Sequence, residues 1–290
     1  MRNIGIVGLG RVGTALALSF QKCGFTVYAA TKGTSQGKVS GEGNYTVGEL
    51  SHVVQKAEVL FITTPDGVIS TIVQQLANYS EINLKAVLHM SGALPSDVLS
   101  PLKKRRIAVG SLHPLQSFAS HQCAINNLPG SYFTYEGDSC LEEWVTTVVK
   151  GWGGKLKILS SPASKMIYHA GACIASNYLV ALFKLSMECF RAAGFSEGEA
   201  REAILPLMRG TFHNLGHLPP ESALTGPISR GDMEVIKGHI TCLARELPSA
   251  LPSYCTLATV IGEMAFASGK LSPEQYRDLI KSCTGGMTHG

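Results

Sequence analysis

The first half of the chain alternates short apolar runs with segments of helical periodicity. Runs that favour β-strands lie at residues 3–7, 26–30, 58–63, 86–90 and 107–111. Most positions in these runs are apolar on both faces, which is typical of parallel strands covered by helices on either side. The pattern predicts an α/β domain with a mostly parallel sheet.

The pattern changes near residue 160, after which helical periodicity continues almost to the end. Helices are predicted over about 164–193, 196–212, 230–246, 248–268 and 272–282, and β-branched runs disappear. We therefore expect two domains: an α/β domain over residues 1–160 and an all-helical domain over residues 161–290.

A glycine-rich turn directly follows the first predicted strand. Gly8, Gly10 and Gly13 have G-x-G-x-x-G spacing, with a strand before and a helix after, as in a Rossmann domain. The first glycine permits the tight turn, the second admits a pyrophosphate and the third allows close helix packing. The helix N-terminus adds unpaired N–H groups for phosphate. The predicted dinucleotide contacts from this turn and from the end of the third strand are Gly8, Leu9, Gly10, Arg11, Val12, Gly13, Thr63, Thr64 and Pro65.

The end of the second predicted strand indicates which dinucleotide binds. A site for NAD normally has Asp or Glu there to bind the ribose 2′-hydroxyl. This chain has Thr31, Lys32 and Ser35 instead, with no acidic residue nearby. Hydroxyls and a lysine suit a 2′-phosphate, so NADP is favoured. NAD is the alternative if Lys32 is merely solvated.

Composition and charge argue against several classes of partner. The 290 residues carry a formal net charge of only +4 and no basic stripe of the kind that binds nucleic acid. The longest apolar stretch, residues 166–183, contains His169, Ser176 and Asn177, which makes it a poor membrane span. Eight cysteines without a C-x-x-C pair suit a reducing compartment. We expect a soluble cytoplasmic protein without nucleic-acid or membrane partners.

No metal site is predicted. His213 and His217 have the i, i+4 spacing of a metal-binding pair, but Gly216 and Pro219 break the helix there. No Glu lies between the two histidines, as it does in the zinc motif H-E-x-x-H.

The first helix of the second domain carries polar side chains on one face. Lys165, His169 and Ser176 lie at offsets 0, 4 and 11, which share one stripe at about 100° per residue, and Tyr168 and Asn177 flank it. An apolar cleft lowers the pKa of a lysine towards neutrality, which suits proton transfer. We predict that Lys165 and His169 are catalytic and that Ser176 and Asn177 contact substrate. The alternative is an exposed lysine and a hydrogen-bonded core histidine.

Two strand ends supply further candidates. His113 follows the strand at 107–111, at the edge where parallel sheets bind substrate, and is predicted to polarise or orient the substrate. Ser91 and Gly92 follow the strand at 86–90 and are predicted to contact substrate. The alternatives are a structural hydrogen bond for His113 and ordinary loop chemistry for the other two.

Arg230 lies in a loop that leads into a predicted helix. Its planar guanidinium suits a substrate carboxylate. A domain or dimer contact explains the Arg-Gly-Asp stretch equally well.

Four segments carry a family resemblance: HMSGALP at 89–95, SLHPLQSF at 111–118, YHAGACIASNYLVAL at 168–182 and LTGPISRGD at 224–232. In this combination the chain resembles the Rossmann-like and DUF2520 domain-containing proteins of the 6-phosphogluconate dehydrogenase-like superfamily. Its first half is also similar to pyrroline-5-carboxylate reductase, 3-hydroxyisobutyrate dehydrogenase and prephenate dehydrogenase. The resemblance implies NADP-linked oxidoreduction, without naming a substrate.

The resemblance also implies roles for two candidates. The superfamily's β-hydroxyacid dehydrogenases carry Lys-x-x-x-Asn on the first C-terminal helix, and that lysine is the acid/base. Here Lys165 matches the lysine, and His169 replaces the asparagine. The pair His113-Pro114 is similar to the His-Pro of prephenate dehydrogenases, whose histidine contacts the substrate.

The leading hypothesis is an NADP-dependent oxidoreductase that transfers a hydride to or from a small carboxylated substrate, either a hydroxy or keto acid or an imine. A catalytically silent dinucleotide-binding sensor or interaction protein is the alternative. The apolar helix faces also suggest a homodimer formed through the helical domain, and a mainly structural dimer is a third reading.

Overall fold

The computed structural model describes residues 1–31, 45–118 and 127–287, together with the backbone at 37–38. The predicted cofactor contacts Lys32 and Ser35 lie outside the described residues. The chain divides into two compact units, Met1–Ser176 and Asn177–Gly290. The domain boundary expected at residue 160 stays a prediction. The division between the compact units falls after Ser176, so the helix Pro162–Ala175 lies in the first unit.

The first unit is built on one sheet, in which nine strands are described. Their spatial order is β3-β4-β2-β1-β5-β6-β7-β8-β9. The strand pairs are parallel except β3 with β4 and β7 with β8. The strands are β1 (Asn3–Val7), β2 (Thr26–Ala30), β3 (Gly37–Lys38), β4 (Thr46–Val47), β5 (Val59–Ile62), β6 (Ala86–His89), β7 (Ala108–Leu115), β8 (Tyr132–Gly137) and β9 (Lys155–Ile158). The predicted fold class, an α/β domain with a mostly parallel sheet followed by helices, is confirmed.

Helices and two short 3₁₀ segments connect the strands of the first unit. The elements are α1 (Arg11–Lys22), α2 (Leu50–Lys56), α3 (Asp66–Asn78), the 3₁₀ segments Ser96–Arg105 and Ser139–Leu141, α4 (Glu142–Gly151) and α5 (Pro162–Ala175). The antiparallel return through β8, α4 and β9 was not predicted. It comes after the last apolar run recognised in the sequence and contains charged positions such as Glu136 and Lys155.

The core of this unit lies on both faces of the sheet. In β5, Val59 and Phe61 belong to one apolar cluster, while Leu60 and Ile62 belong to the other. All four side chains are fully buried. This explains why the strand is apolar at consecutive positions, since neither of its faces meets water.

The parallel register aligns the carboxyl ends of the central strands. Val7 pairs with Ile62, Ile62 with His89, and His89 with Ser111. The glycine turn after β1 and the loops after β5 and β6 therefore leave the same edge of the sheet. Strand β7 continues past this edge to Leu115, because its outer residues pair with β8.

The second unit is helical throughout its described part. Its helices are α6 (Asn177–Ala192), α7 (Glu197–Leu215), α8 (Pro220–Ala223), α9 (Pro227–Arg230), α10 (Met233–Glu246), a 3₁₀ segment at Pro248–Ala250, α11 (Leu251–Ala267) and α12 (Pro273–Met287). Ile236, Cys255 and Leu279 are central to its apolar core.

Two of the predicted helices were placed incorrectly. The helix predicted over 164–193 is interrupted at Ser176, whose φ of −120° and ψ of −63° are not helical, so that α5 and α6 are separate elements. The helix predicted from residue 230 begins at Met233, because Gly231 has a φ of +71° and ends the short α9 instead. Backbone conformation at single residues causes both differences, and apolar periodicity does not report it.

Two helical stretches, Pro162–Ala192 and Pro248–Ala267, are long and apolar enough to cross a membrane by length and composition alone. The first stretch is interrupted at Ser176 and carries the buried side chain of Lys165, although none of its most apolar window is buried. The core of a helical unit passes the same test, as the buried residues Cys255 and Ala258 of the second stretch illustrate.

The glycine turn provides a paired test of packing. A methyl group at Gly13 would overlap the carbonyl oxygen of Gly8, whereas a methyl group at Gly10 would meet nothing within 4 Å. Gly13→Ala should therefore lower the free energy of unfolding by about 2–3 kcal/mol, and Gly10→Ala should change it by about 0.5 kcal/mol or less. Urea unfolding of the two variants measures the difference, and equal losses would contradict the described packing.

Candidate active site

The turn after β1 forms a cradle of backbone groups. Gly8 has a φ of +99°, and its N–H donates to Ala30 O at 2.8 Å. The hydroxyl of Thr63 donates to Gly8 O at 2.5 Å and to Val7 O at 3.0 Å, which holds the turn against the end of β5. Helix α1 starts at Arg11, and the N-cap residue Gly10 offers no side-chain acceptor for the first N–H groups. These free donors and the open space at Gly10 fit a pyrophosphate.

The other predicted cofactor contacts surround this cradle. Leu9 and Val12 pack against the core, and Arg11 Nη1 donates to Phe118 O at 3.2 Å. The buried Thr64 hydroxyl has no hydrogen-bond partner among the described residues, and Pro65 is the N-cap of α3. An orphaned hydroxyl at the strand edge fits a ligand that supplies the missing bond. Thr31 follows β2 directly and is half-buried.

Lys165 is buried where α5 crosses the end of the sheet. Its side chain is only 1% exposed, and its ammonium group donates to Ser111 Oγ. Ser111 in turn donates to the carbonyl oxygen of Ser91 at 3.2 Å. The side chain of Ser161 caps the N-terminus of α5 by accepting from Ser164 N, which fixes the start of the helix one turn before the lysine. The alternative prediction for Lys165, an exposed side chain, is wrong.

The surroundings of Lys165 shift its acidity. Burial lowers the pKa of the ammonium group from 10.5 to about 8, and the carboxylates of Glu136 and Asp66 oppose this shift. Glu136 is held by the backbone N–H and the hydroxyl of Ser96, both at 2.7 Å. The lysine is therefore a weakened base that keeps its proton at neutral pH.

His113 lies on β7, two residues after Ser111, and it is close to Lys165 of α5. Its Nδ1 is 3.0 Å from the hydroxyl of Tyr168, and its ring is 5.8 Å from that of His169, nearly perpendicular to it. Burial is the largest cause that lowers the pKa of His113, to about 3, and the charge of Lys165 adds to it. His113 is therefore neutral in the physiological range.

Gly92 lies against both histidines. A methyl group there would overlap His169 Nδ1 and would lie 2.8 Å from His113 Nε2. His169 Nδ1 is buried and has no hydrogen-bond partner among the described residues, while Cys173 Sγ is 3.8 Å from His169 Nε2. The loop after β6 thus approaches the two rings as closely as a glycine permits.

Asp66 connects the segment after β5 to the loop after β6. Its carboxylate accepts from the hydroxyl of Ser91 at 2.8 Å, and that hydroxyl accepts from Ala93 N and Leu94 N. The buried His89 accepts from Ser91 N through Nδ1, and its Nε2 is 3.1 Å from Pro95 O. Burial lowers the pKa of His89 to about 4, so it is a neutral structural residue.

Sequence reasoning singled out His113 but missed Ser111, Thr134 and Glu136. Ser111 and His113 face one side of β7, and their partners across the antiparallel pair are Glu136 and Thr134. A signal was available, because Ser111 and His113 flank the buried Leu112 at the two-residue spacing that puts both on one face. The partners on β8 were not predictable without the strand pairing.

The remaining candidates lie elsewhere. Ser176 and Asn177 are exposed at the junction of α5 and α6. Arg230 belongs to the second unit, where its Nη2 forms an ion pair with Asp232 at 2.9 Å. The predicted substrate contacts of these three residues stay predictions.

Metal-binding chemistry has no support in the described ranges, where no group of three or more potential ligands is found. His213 and His217 are exposed, with ring centroids 4.5 Å apart, and His217 Nδ1 contacts His213 O at 2.8 Å.

Fold and site together define a two-part protein: a Rossmann-type dinucleotide turn with a buried polar cluster at the strand ends, followed by helices. A Rossmann-like domain model matches residues 1–114, and a model described as a domain of unknown function, DUF2520, matches residues 131–261. The chain therefore matches a Rossmann-like domain followed by a DUF2520 domain, the two domains that the sequence resemblance predicted. No curated protein matches the sequence.

Solved structures share the fold across most of the chain. Protein TM1727 from Thermotoga maritima has a TM-score of 0.72 at 23% identity, covering 91% of this chain and 99% of that one. A reductive aminase from Aspergillus terreus, in complex with NADPH and ethyl-5-oxohexanoate, has a TM-score of 0.61 at 19% identity and coverages of 100% and 95%. Plasmodium falciparum pyrroline carboxylate reductase with NADP bound has a TM-score of 0.58 at 12% identity and coverages of 90% and 98%. The fold is therefore one used by NADP-binding oxidoreductases.

The buried ammonium group of Lys165 should be costly to the folded state. Lys165→Met keeps the length of the side chain and removes the charge, so we expect a variant at least as stable as the natural protein, by up to about 3 kcal/mol. Urea unfolding at pH 7 tests this. The exposed Lys150, replaced by Met, is the control and should change stability by about 0.5 kcal/mol or less. A loss above about 2 kcal/mol for Lys165→Met alone would contradict the lowered pKa.

Proposed function

We propose that this protein is an NADP-dependent oxidoreductase that acts on a small carboxylated substrate, either a hydroxy or keto acid or an imine. The observation that carries the proposal is the buried Lys165, hydrogen-bonded to Ser111 at the carboxyl edge from which the glycine turn also leaves. Structural proteins rarely keep such a buried lysine, whereas active sites tune lysines in this way.

The glycine turn supports binding of the dinucleotide. The N–H groups at the start of α1 would bind its pyrophosphate, and Thr63, Thr64 and Pro65 would border its nicotinamide half. We assign the ribose 2′-phosphate to Thr31, Lys32 and Ser35, with NAD as the alternative if that loop does not discriminate. When bound, the nicotinamide supplies or accepts the hydride.

Reduction of a carbonyl or an imine needs one proton together with the hydride. Lys165 would supply it in the reductive direction, because a pKa of about 8 leaves the ammonium group protonated at pH 7. Ser111 holds the ammonium group in place. His169, with its unpartnered Nδ1, is the second candidate for the proton donor.

His113 would orient the substrate. A neutral imidazole offers one N–H to a substrate oxygen without placing a second positive charge beside Lys165. Ser91 and Gly92 would form the wall that adjoins the two histidines. Ser176, Asn177 and Arg230 are the proposed contacts for the rest of the substrate, with Arg230 bound to its carboxylate.

Turnover and binding measured together test this proposal. We expect NADPH oxidation with some member of a panel of keto acids and imines, with kcat/KM falling as pH rises through about 8 because Lys165 loses its proton. Lys165→Met should lower kcat/KM by roughly 10²–10⁴-fold and leave the Kd for NADPH nearly unchanged. Gly10→Ala should weaken NADPH binding instead.

The control is again Lys150→Met, which should retain full activity. NADPH binding without turnover on any substrate would favour the rival proposal, a dinucleotide-binding sensor. Loss of NADPH binding in Lys165→Met would contradict a role limited to proton transfer.

We also propose that the protein is a cytoplasmic homodimer formed through its helical unit. Helix α6 has no fully buried side chain, although residues 179–183 are all apolar. Together with α7 it presents a mostly apolar groove lined by Leu179, Val180, Phe183, Leu205, Met208, Arg209 and Phe212. Val180 is 69% exposed and Phe212 53%, which is unusual for a monomer and suits a second copy of the chain.

Charges in this groove should separate the subunits. We expect Val180→Glu and Phe212→Glu to convert a dimer into a monomer at micromolar concentration in analytical ultracentrifugation. Val235→Glu changes an equally apolar, 46% exposed residue on α10 and should leave the dimer intact. A monomeric natural protein, or dissociation by Val235→Glu alone, would contradict the proposal.

A further inference from the structure

Tyr168 contacts His113, the proposed substrate-orienting histidine. Its hydroxyl is 3.0 Å from His113 Nδ1, and the two rings meet edge to face with their centroids 5.8 Å apart. It projects from α5 one turn after the buried Lys165. The phenol thus reaches His113 from the helix that also carries the proposed proton donors.

A neutral histidine carries its proton on one nitrogen, and its neighbours decide which one. His113 is neutral because burial and the nearby positive charge of Lys165 disfavour the imidazolium. Its Nδ1 faces Tyr168, and its Nε2 faces the loop at Gly92. Any hydrogen bond offered to substrate at that loop therefore depends on whether Nε2 carries the proton.

The direction of the bond between Tyr168 and His113 follows from the chemistry of the two groups. Among the described residues, His113 Nδ1 is the hydrogen-bond partner of the Tyr168 hydroxyl. Thr134, the cross-strand partner of His113, has a buried hydroxyl without a hydrogen-bond partner there, so it does not compete for the phenol. A phenol O–H is a better donor than its oxygen is an acceptor, and an unprotonated imidazole nitrogen is a good acceptor. The phenol proton therefore has His113 Nδ1 as its acceptor.

We propose that Tyr168 is a positioning residue that donates to His113 Nδ1 and thereby keeps the proton on Nε2, facing Gly92. The site then presents a fixed N–H donor and selects a substrate atom that accepts a hydrogen bond, a carbonyl, hydroxyl or carboxylate oxygen. An iminium N–H would find no acceptor at this position. The proposed tautomer of His113 does not depend on the proposed function, whereas the substrate preference rests on it.

The tautomer can be read in the full-length protein without substrate. In long-range ¹H–¹⁵N spectra of protein with ¹⁵N-labelled histidine, the ring signals missing from His113→Gln identify His113 among the nine histidines. We expect a protonated Nε2 and an unprotonated Nδ1, and we expect Tyr168→Phe to shift at least half of the population to the other tautomer. A protonated Nδ1 in the natural protein would overturn the proposal, as would an unchanged tautomer in Tyr168→Phe.

The chain offers a matched control for the loss of a hydroxyl. Tyr254 contacts His239 Nδ1 in the second unit with the same 3.0 Å distance and an edge-to-face ring geometry. Tyr254→Phe should change the signals of His239 and leave those of His113 unaltered. If Tyr168→Phe does not fold, which a thermal melt reveals, the tautomer of the natural protein alone still decides.

Kinetics then test the substrate preference separately. With an active oxo-acid substrate, Tyr168→Phe should raise KM roughly 10-fold with a smaller change in kcat, as expected for one misaligned hydrogen bond. In a protein that already carries His113→Gln, Tyr168→Phe should have no further effect on KM. An additional loss there would show that Tyr168 does not act through His113. Absence of any turnover would reject the proposed function and leave the tautomer result intact.

Discussion

The burial of the Lys165 ammonium group is the constraint on which the candidate site depends. A charge in an apolar interior needs polar partners, and the sheet supplies them along one face of β7 and β8. Ser111 accepts from the ammonium group, and Glu136, held by Ser96, lies across from Ser111 in the strand pairing. Each of these polar groups also has a second partner: Ser111 donates to Ser91 O, and Glu136 accepts from the backbone and hydroxyl of Ser96.

The same constraint connects the site to the dinucleotide turn. Ser111 donates to the backbone of Ser91, and the side chain of Ser91 donates to Asp66 at the start of α3. Asp66 follows the loop of Thr63 and Thr64, which borders the glycine turn. Hydrogen bonds through Ser91 thus connect the partner of Lys165 to Asp66, which follows Thr64 by two residues in the chain. The antiparallel pairing of β7 with β8 adds His113 to the site, because it carries this residue beyond the ends of the parallel strands.

The sequence predicted the parts of the molecule whose physical cause is local. The glycine turn, the apolar strands and the helical second half follow from backbone sterics and from periodicity, and the structure confirms that fold. Lys165 and His113 were singled out by their position, and the structure brings both of them into one buried cluster. The prediction of a continuous helix over 164–193 was wrong because the conformation of a single residue, Ser176, interrupts it. Ser111, Thr134 and Glu136 escaped recognition because their importance comes from strand pairing between distant segments, which the sequence alone does not display.

The acidity of Lys165 tests the account most directly. In protein labelled with ¹³C at the lysine ε-carbon, the signal that disappears in Lys165→Met can be followed as a function of pH in the natural protein. We predict that this signal titrates with a pKa of about 8, well below the ordinary value of 10.5. A Lys165 signal that titrates near 10.5 with the other lysines would contradict a buried ammonium group and, with it, the proposed proton donor.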